Sequence, residues 1–293
     1  MDREKRISPL TDTGFKAYFG KEGQSEEILM FLLNELFRDK EDYSPIVSIR
    51  YGNSERLRET EELRTVIHDV YCTTSDGRRF IVEMQNVPQR FFLDRAFYYV
   101  CKGISDQGIK DVGHHWAYKY SPVIGVFLCN FLIEDIAREM VVYGRVQDEK
   151  THKNIGNFFR FAFLQLPLVK ENPKECKTKL EKLLYLIKNM EGLWENPFAA
   201  EMEAVYEKLE KVSRYTALDE KEKARYDAEW KRYNDTAAFI WDTLEQGREK
   251  GIAEGREQGK LETAKNMYKE GMSIAMISKY TGLPEEVLEK SLK

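Results

Sequence analysis

The sequence predicts an α/β protein in which a mixed sheet is flanked by helices, followed by an α-helical C-terminal region. Three observations predict it. Short runs rich in β-branched and aromatic residues alternate with helix-period segments between residues 25 and 166. One of those runs, residues 122–129, is almost continuously apolar, as a strand buried on both faces requires. Beyond Pro173 the chain reads as wholly helical and highly charged.

The elements follow in order. The first segment contains Thr11-Asp12-Thr13-Gly14-Phe15-Lys16, then Tyr18 and Phe19. Ile28, Leu29, Phe31, Leu32 and Leu36 recur at helical spacing, and Ser25 with Glu26 and Glu27 behind it marks the helix start. Residues 46–51 alternate as a strand does. Residues 65–72 and 80–85 are further strands, separated by Thr74-Ser75-Asp76-Gly77-Arg78, where glycine accepts positive φ; together they read as a β-hairpin. Pro88 opens a helix to about Asp106, with Phe92, Ala96, Tyr99, Val100 and Gly103 on one face. After the strand at 122–129, two more fall near residues 140–147 and 158–166.

This order divides the chain into an α/β domain at 1–170, a helical region at 171–244, and a charged helix with a small terminal unit at 245–293. In the last of these, Gly247, Gly251, Gly255 and Gly259 share one helical stripe. The stripe suits either close helix–helix approach or a solvated connector. The final unit has Ser273 as a helix cap, Thr281-Gly282-Leu283 as a turn and Pro284 opening a second helix, so it resembles a helix-turn-helix. Glu285, Glu286 and Glu289 on that second helix suit phosphates badly and favour a packing or interaction role.

Composition sets bounds. Of 293 residues, 42% are hydrophobic and 33% charged, which fits a compact part joined to a solvated helical part. A net charge of -4 neither requires nor forbids nucleic acid. Cys72, Cys101, Cys129 and Cys176 are far apart, so free thiols are expected rather than a zinc site or a disulfide framework. No signal-peptide run and no stretch of about 20 apolar residues is present, so a cytoplasmic protein without membrane contact is expected.

The chemistry is concentrated in the hairpin. If Ser75-Asp76-Gly77 is its loop, Thr74 faces Arg78 and Asp69 falls opposite Glu83. Cross-strand partners have Cβ atoms about 5 Å apart on one face, and Gln85 shares that face. Two ionised carboxylates this close repel, and a divalent cation removes the repulsion. Hard oxygen donors suit Mg²⁺ (or Mn²⁺), which would activate water and stabilise charge on a phosphate. The Met84 backbone carbonyl is a reasonable extra ligand, and Gln85 is placed to orient the water. Spacing alone leaves open that Asp69 and Glu83 are surface acids or salt-bridge partners. Arg78, Arg79 and Arg90 suit either phosphate contacts or a solvated rim. His68 points to the opposite face, and His114-His115 read as structural.

Several pieces together resemble a known family. They are Ser8-Pro-Leu-Thr-Asp12-Thr-Gly-Phe-Lys16-Ala-Tyr-Phe19, Asp69-Val70, Phe80-Ile-Val-Glu83-Met-Gln85, Phe92-Leu-Asp94-Arg95-Ala96-Phe-Tyr98-Tyr99 and the strand at 122–130. The chain resembles the PD-(D/E)XK nuclease family transposases, also called recombination-promoting nucleases. The resemblance implies a restriction-endonuclease-like core and a metal-dependent endonuclease that cuts double-stranded DNA in recombination or transposition. It makes Asp69 and Glu83 the metal-binding acids. Gln85 stands where the superfamily name has lysine, so a cation from elsewhere is expected, with Lys16 and Arg95 as candidates. Asp12 suits either orienting a neighbouring group or serving as a helix cap or turn residue, and Glu27 suits a solvent-exposed position more than a further accessory acid. Cutting two strands implies a homodimer. The departure at Gln85 keeps a second reading open, a catalytically weak or inactive nuclease-fold module that binds DNA or a partner.

Overall fold

The structure, a computed structural model, describes residues 4–40, 43–52, 69–107 and 120–292. It divides into two compact units, Met1–Trp230 and Lys231–Lys293. The first unit contains helices α1 (Asp12–Phe19) and α2 (Glu26–Phe37), strands β1 (Ile49–Tyr51), β2 (Val70–Thr74) and β3 (Arg79–Gln85), and helix α3 (Phe92–Ser105). Strands β4 (Val123–Cys129), β5 (Val141–Arg145) and β6 (Phe159–Gln165) follow, then helices α4 (Lys179–Asn189) and α5 (Ala199–Ser213). Helix α6 (Glu220–Lys269) begins in this unit and continues into the second, which ends with α7 (Ile274–Thr281) and α8 (Glu285–Leu292).

The six strands form one sheet in the order β1-β2-β3-β4-β6-β5. The inner pairs β3–β4 and β4–β6 are parallel and the outer pairs antiparallel, so the sheet is mixed, as expected. Alternation along β3 feeds two cores. Phe80, Val82 and Met84 join the cluster under α1, α2 and α4, while Ile81 joins the cluster under α3. All seven residues of β4 are buried, which accounts for its unbroken apolar sequence.

Three boundaries differ from the sequence expectation. Pro88 lies in a loop, and α3 starts only at Phe92. The strand expected at 46–51 is paired only over Ile49–Tyr51. Of the strand expected at 65–72, residues 65–68 lie outside the described residues, and β2 runs from Val70 to Thr74. Ser25 does precede α2 but does not cap it. Its hydroxyl accepts from the Lys21 N–H and donates to the Lys21 carbonyl, closing the turn in front of the helix.

Helices α4 and α5 pack on α1 and α2, so the sheet and the early C-terminal helices share one core. The N-terminal strip is tied to them. Buried Arg6 donates to the Met190 carbonyl at 3.3 Å, to the Leu193 carbonyl, and to Glu210 at 2.8 Å. Tyr226, at the start of α6, accepts from the Ser8 N–H at 2.9 Å, and Glu229 accepts from the Thr13 N–H at 2.8 Å. Thr11 caps α1 by accepting from the Gly14 N–H.

Gly14 fits this corner because it has no side chain: a Cβ there would run into the Ser8 carbonyl and the Thr11 hydroxyl. Replacing Gly14 by alanine gains about 1 kcal/mol of helix propensity. The overpacking costs roughly 3 kcal/mol, so Gly14→Ala is expected to lose about 2 kcal/mol net in urea unfolding. A variant as stable as wild type would show that the corner yields.

In the second unit, Ala264, Ile277, Leu283 and Leu288 form a small core. Ser273 caps α7, and Gly282, at φ 68°, ends it in the left-handed conformation that glycine adopts without strain. Glu285, Glu286 and Glu289 on α8 are exposed. Gly247, Gly251, Gly255 and Gly259 all lie inside α6, and a Cβ at any of them would meet nothing within 4 Å. Among the described residues, no helix is long and apolar enough to cross a membrane. Cys72, Cys129 and Cys176 are buried free thiols and Cys101 is an exposed one.

Candidate active site

The hairpin register decides the geometry. β2 and β3 pair as Val70↔Val82, Tyr71↔Ile81, Cys72↔Phe80 and Thr73↔Arg79. The Thr74 N–H donates to the Arg78 carbonyl at 2.9 Å, and Gly77 turns the loop at φ 88°. One step beyond Val70↔Val82 places Asp69 opposite Glu83, as the loop length predicts.

Backbone bonds lock the two acids together. The Met84 N–H donates to Asp69 Oδ2 at 2.9 Å, and the Asp69 N–H approaches Glu83 Oε1 at 3.3 Å. Each bond engages one oxygen of its carboxylate. In an extended strand, the N–H and C=O of one residue point the same way. The Met84 carbonyl therefore faces the Asp69 side of β3. The Gln85 carbonyl faces β4, where it accepts from the Asn130 N–H at 2.8 Å.

Burial dominates the electrostatics. It raises the Asp69 carboxyl to about 7, aided by repulsion from Glu83. It raises Glu83 to about 8, against the opposing pull of the Asp69 N–H and of Arg95. Asp12 raises both acids and Lys16 lowers both, so α1 presents one charge of each sign to the pair.

From α3, the Arg95 guanidinium donates to Gln85 Oε1 and, at 2.5 Å, to Gln89 Oε1. Tyr99 lies one helical turn further on, its ring 5.9 Å from that guanidinium. Burial and the Glu83 charge raise the Tyr99 hydroxyl. Sequence reasoning set Tyr99 on the apolar face of this helix and gave it no role in the site; its spacing of four from Arg95 is the signal that places both on one side of α3.

Chain residues 9–242 match the family model of the PD-(D/E)XK nuclease family transposases. The chain belongs to that family. No curated protein and no solved structure matches it.

In this PD-(D/E)XK family protein the expected acids and α1 converge, while other candidates lie elsewhere. Arg79 opens β3, four residues before Glu83 and thus roughly 13 Å along the strand. Arg78 is held by Asp76 and the Ser44 carbonyl. Arg90 precedes α3 with its guanidinium 5.3 Å from the Phe91 ring. Glu27 pairs with Lys208 of α5. His68, His114 and His115 lie outside the described residues.

Among the described residues, no three His, Cys, Asp or Glu side chains gather as a metal cluster. Mg²⁺ is ordinarily held by one or two carboxylates and completes its shell with water, which a buried Asp–Glu pair beside a backbone carbonyl fits.

Proposed function

We propose that this protein is a Mg²⁺- or Mn²⁺-dependent endonuclease that hydrolyses phosphodiester bonds of double-stranded DNA during recombination or transposition. The observation that carries the reading is the buried, mutually repelling pair Asp69–Glu83, fixed by two backbone bonds inside a family of nucleases. Asp69, Glu83 and the Met84 carbonyl would hold the ion. When bound, it supplies charge neutralisation at the scissile phosphate and lowers the pKa of water.

The chain's own groups do the remaining work. Gln85 has no titratable proton near neutral pH, so it orients water through its amide and cannot act as a base. Arg95 holds the Gln85 amide and supplies the positive charge that a lysine would otherwise bring to this strand. Lys16 adds a second cation from α1, and Asp12, four residues before it on the same helix, orients that ammonium. Two strands are cut by two such sites, so the working form is a pair of chains.

Plasmid nicking tests the reading. Purified protein is incubated with supercoiled DNA and Mg²⁺, Mn²⁺, Ca²⁺ or EDTA. Cutting with Mg²⁺ or Mn²⁺ alone is expected; cutting undiminished in EDTA would reject metal dependence. Arg95→Met is expected to slow cutting about tenfold or more. Because Arg95 pulls the Glu83 carboxyl down, the substitution should also move the acid limb of the pH profile upward. An unmoved limb would remove Arg95 from the site.

A second reading is a nuclease-fold module that binds DNA without cutting it. Gln85 at the lysine position favours it. DNA binding that survives loss of both acids, with no cutting under any metal, would select it.

A further inference from the structure

The outer side of α3 carries aromatic rings that the fold leaves uncovered. Phe91, whose carbonyl accepts from the Arg95 N–H in the first turn, is 64% exposed, and Tyr98 is 42% exposed. Phe91, Arg95 and Tyr98 follow one another at steps of four and three. They therefore share one stripe of the helix, two turns or roughly 10.5 Å long. Phe97, the exposed ring next to Tyr98, rests on Phe161 at 4.4 Å. Phe91 and Tyr98 join neither of the two cores that the sheet separates.

The stripe is continuous with the acid pair. Its middle residue, Arg95, donates to Gln85, and Gln85 stands two residues from Glu83 on the same side of β3. Arg90 adds a second guanidinium, 5.3 Å from the Phe91 ring. Guanidinium groups interleaved with open rings complement a chain that offers phosphates and flat apolar faces in alternation, which describes a nucleic-acid strand. Asp94, exposed beside Arg95, repels a phosphate but can accept from a base amino group. In an intact duplex each base face is covered by its neighbours. A side chain can lie against one only where the stack is open.

We infer that Phe91 and Tyr98 hold unstacked bases on either side of the phosphate that meets Arg95. The DNA that fits this stripe is unpaired beside the acid pair, as in a bubble, a flap or a single-stranded stretch. The inference rests on the nuclease reading above and narrows its substrate from duplex in general to duplex with an opened strand.

Fluorescence anisotropy of the full chain in EDTA tests it with labelled DNA of one sequence in three forms: perfect duplex, duplex with a short central bubble, and single strand. Wild type is expected to bind the bubble and the single strand about tenfold or more tighter than the duplex. Phe91→Ala with Tyr98→Ala is expected to lose about tenfold or more on those two forms and less than about twofold on the duplex, with an unchanged circular-dichroism signal. Phe91→Tyr with Tyr98→Phe keeps both rings and is expected to keep the preference. Equal affinity of wild type for the three forms, binding to none of them, or a preference intact in the alanine pair overturns the inference. A paired wild type that the two alanines make single also overturns it, because the rings would then lie between copies. No cutting is measured, so the nuclease reading is judged apart: Mg²⁺-dependent nicking that Asp69→Asn abolishes stands whichever way the binding falls.

Discussion

Asp69→Asn and Glu83→Gln are each expected to lower Mg²⁺-dependent DNA cutting by roughly two to three orders of magnitude. The two substitutions are nearly shape-preserving. Asparagine can still accept from the Met84 N–H, and glutamine can still accept from the Asp69 N–H, so the interlock between β2 and β3 survives. What is lost is one negative charge of the pair that would hold the cation. Because the two acids act as one unit, the double variant should be little worse than either single one. Multiplying losses in the double variant would mean that the acids work separately. Wild-type rates in both single variants would place the chemistry elsewhere.

The second large effect concerns the metal-free protein and needs no DNA. Unfolded, Asp69 and Glu83 titrate near 3.9 and 4.3. Folded, they titrate near 7 and 8. Between these limits the folded chain binds more protons than the unfolded one, so stability falls as pH rises from about 4 to about 8. A shift of one unit corresponds to about 1.4 kcal/mol, so even heavily discounted for coupling the pair costs roughly 2–4 kcal/mol at pH 8.5. In a unit of this size that lowers the melting temperature by roughly 5–10 °C between pH 5.5 and 8.5 in EDTA. Asp69→Asn should flatten the profile and be more stable than wild type at pH 8.5. Mg²⁺ should recover the wild-type loss there and do little at pH 5.5, where protons already neutralise the pair. Calorimetry in the two buffers reads all of this, and an Asp69→Asn profile as steep as wild type would refute the buried pair.

The hairpin was legible because its information is local. A short loop with Gly77 fixes the register, the register fixes Asp69 against Glu83, and side-chain alternation then gives Gln85 its face. The strands were legible for the same reason, down to the unbroken apolar β4. Helix starts were less so. Pro88 fits a first turn, yet the chain needs four more residues to swing from β3 onto the other face of the sheet before α3 begins. The contacts that set α1 beside the acids were not legible at all. Thr13 meets Glu229 and Ser8 meets Tyr226 across more than two hundred residues, and no periodicity encodes such a pairing. Arg95 lay between: a candidate by type, chosen by the Gln85 amide that only the folded helix brings to it.

The clasp of Ser8 and Thr13 by Tyr226 and Glu229 also sets a timetable. The ribosome makes both acids, and the helix that carries Lys16, long before it makes the residues that seat that helix. At about 5–20 residues per second, the interval is on the order of ten seconds. During it a nascent chain holds Asp69 and Glu83 without the two bonds that tie the Asp12–Lys16 helix to the start of α6. Any activity that needs Lys16 beside the two acids is therefore expected to appear only when nearly all of the first unit has left the exit tunnel.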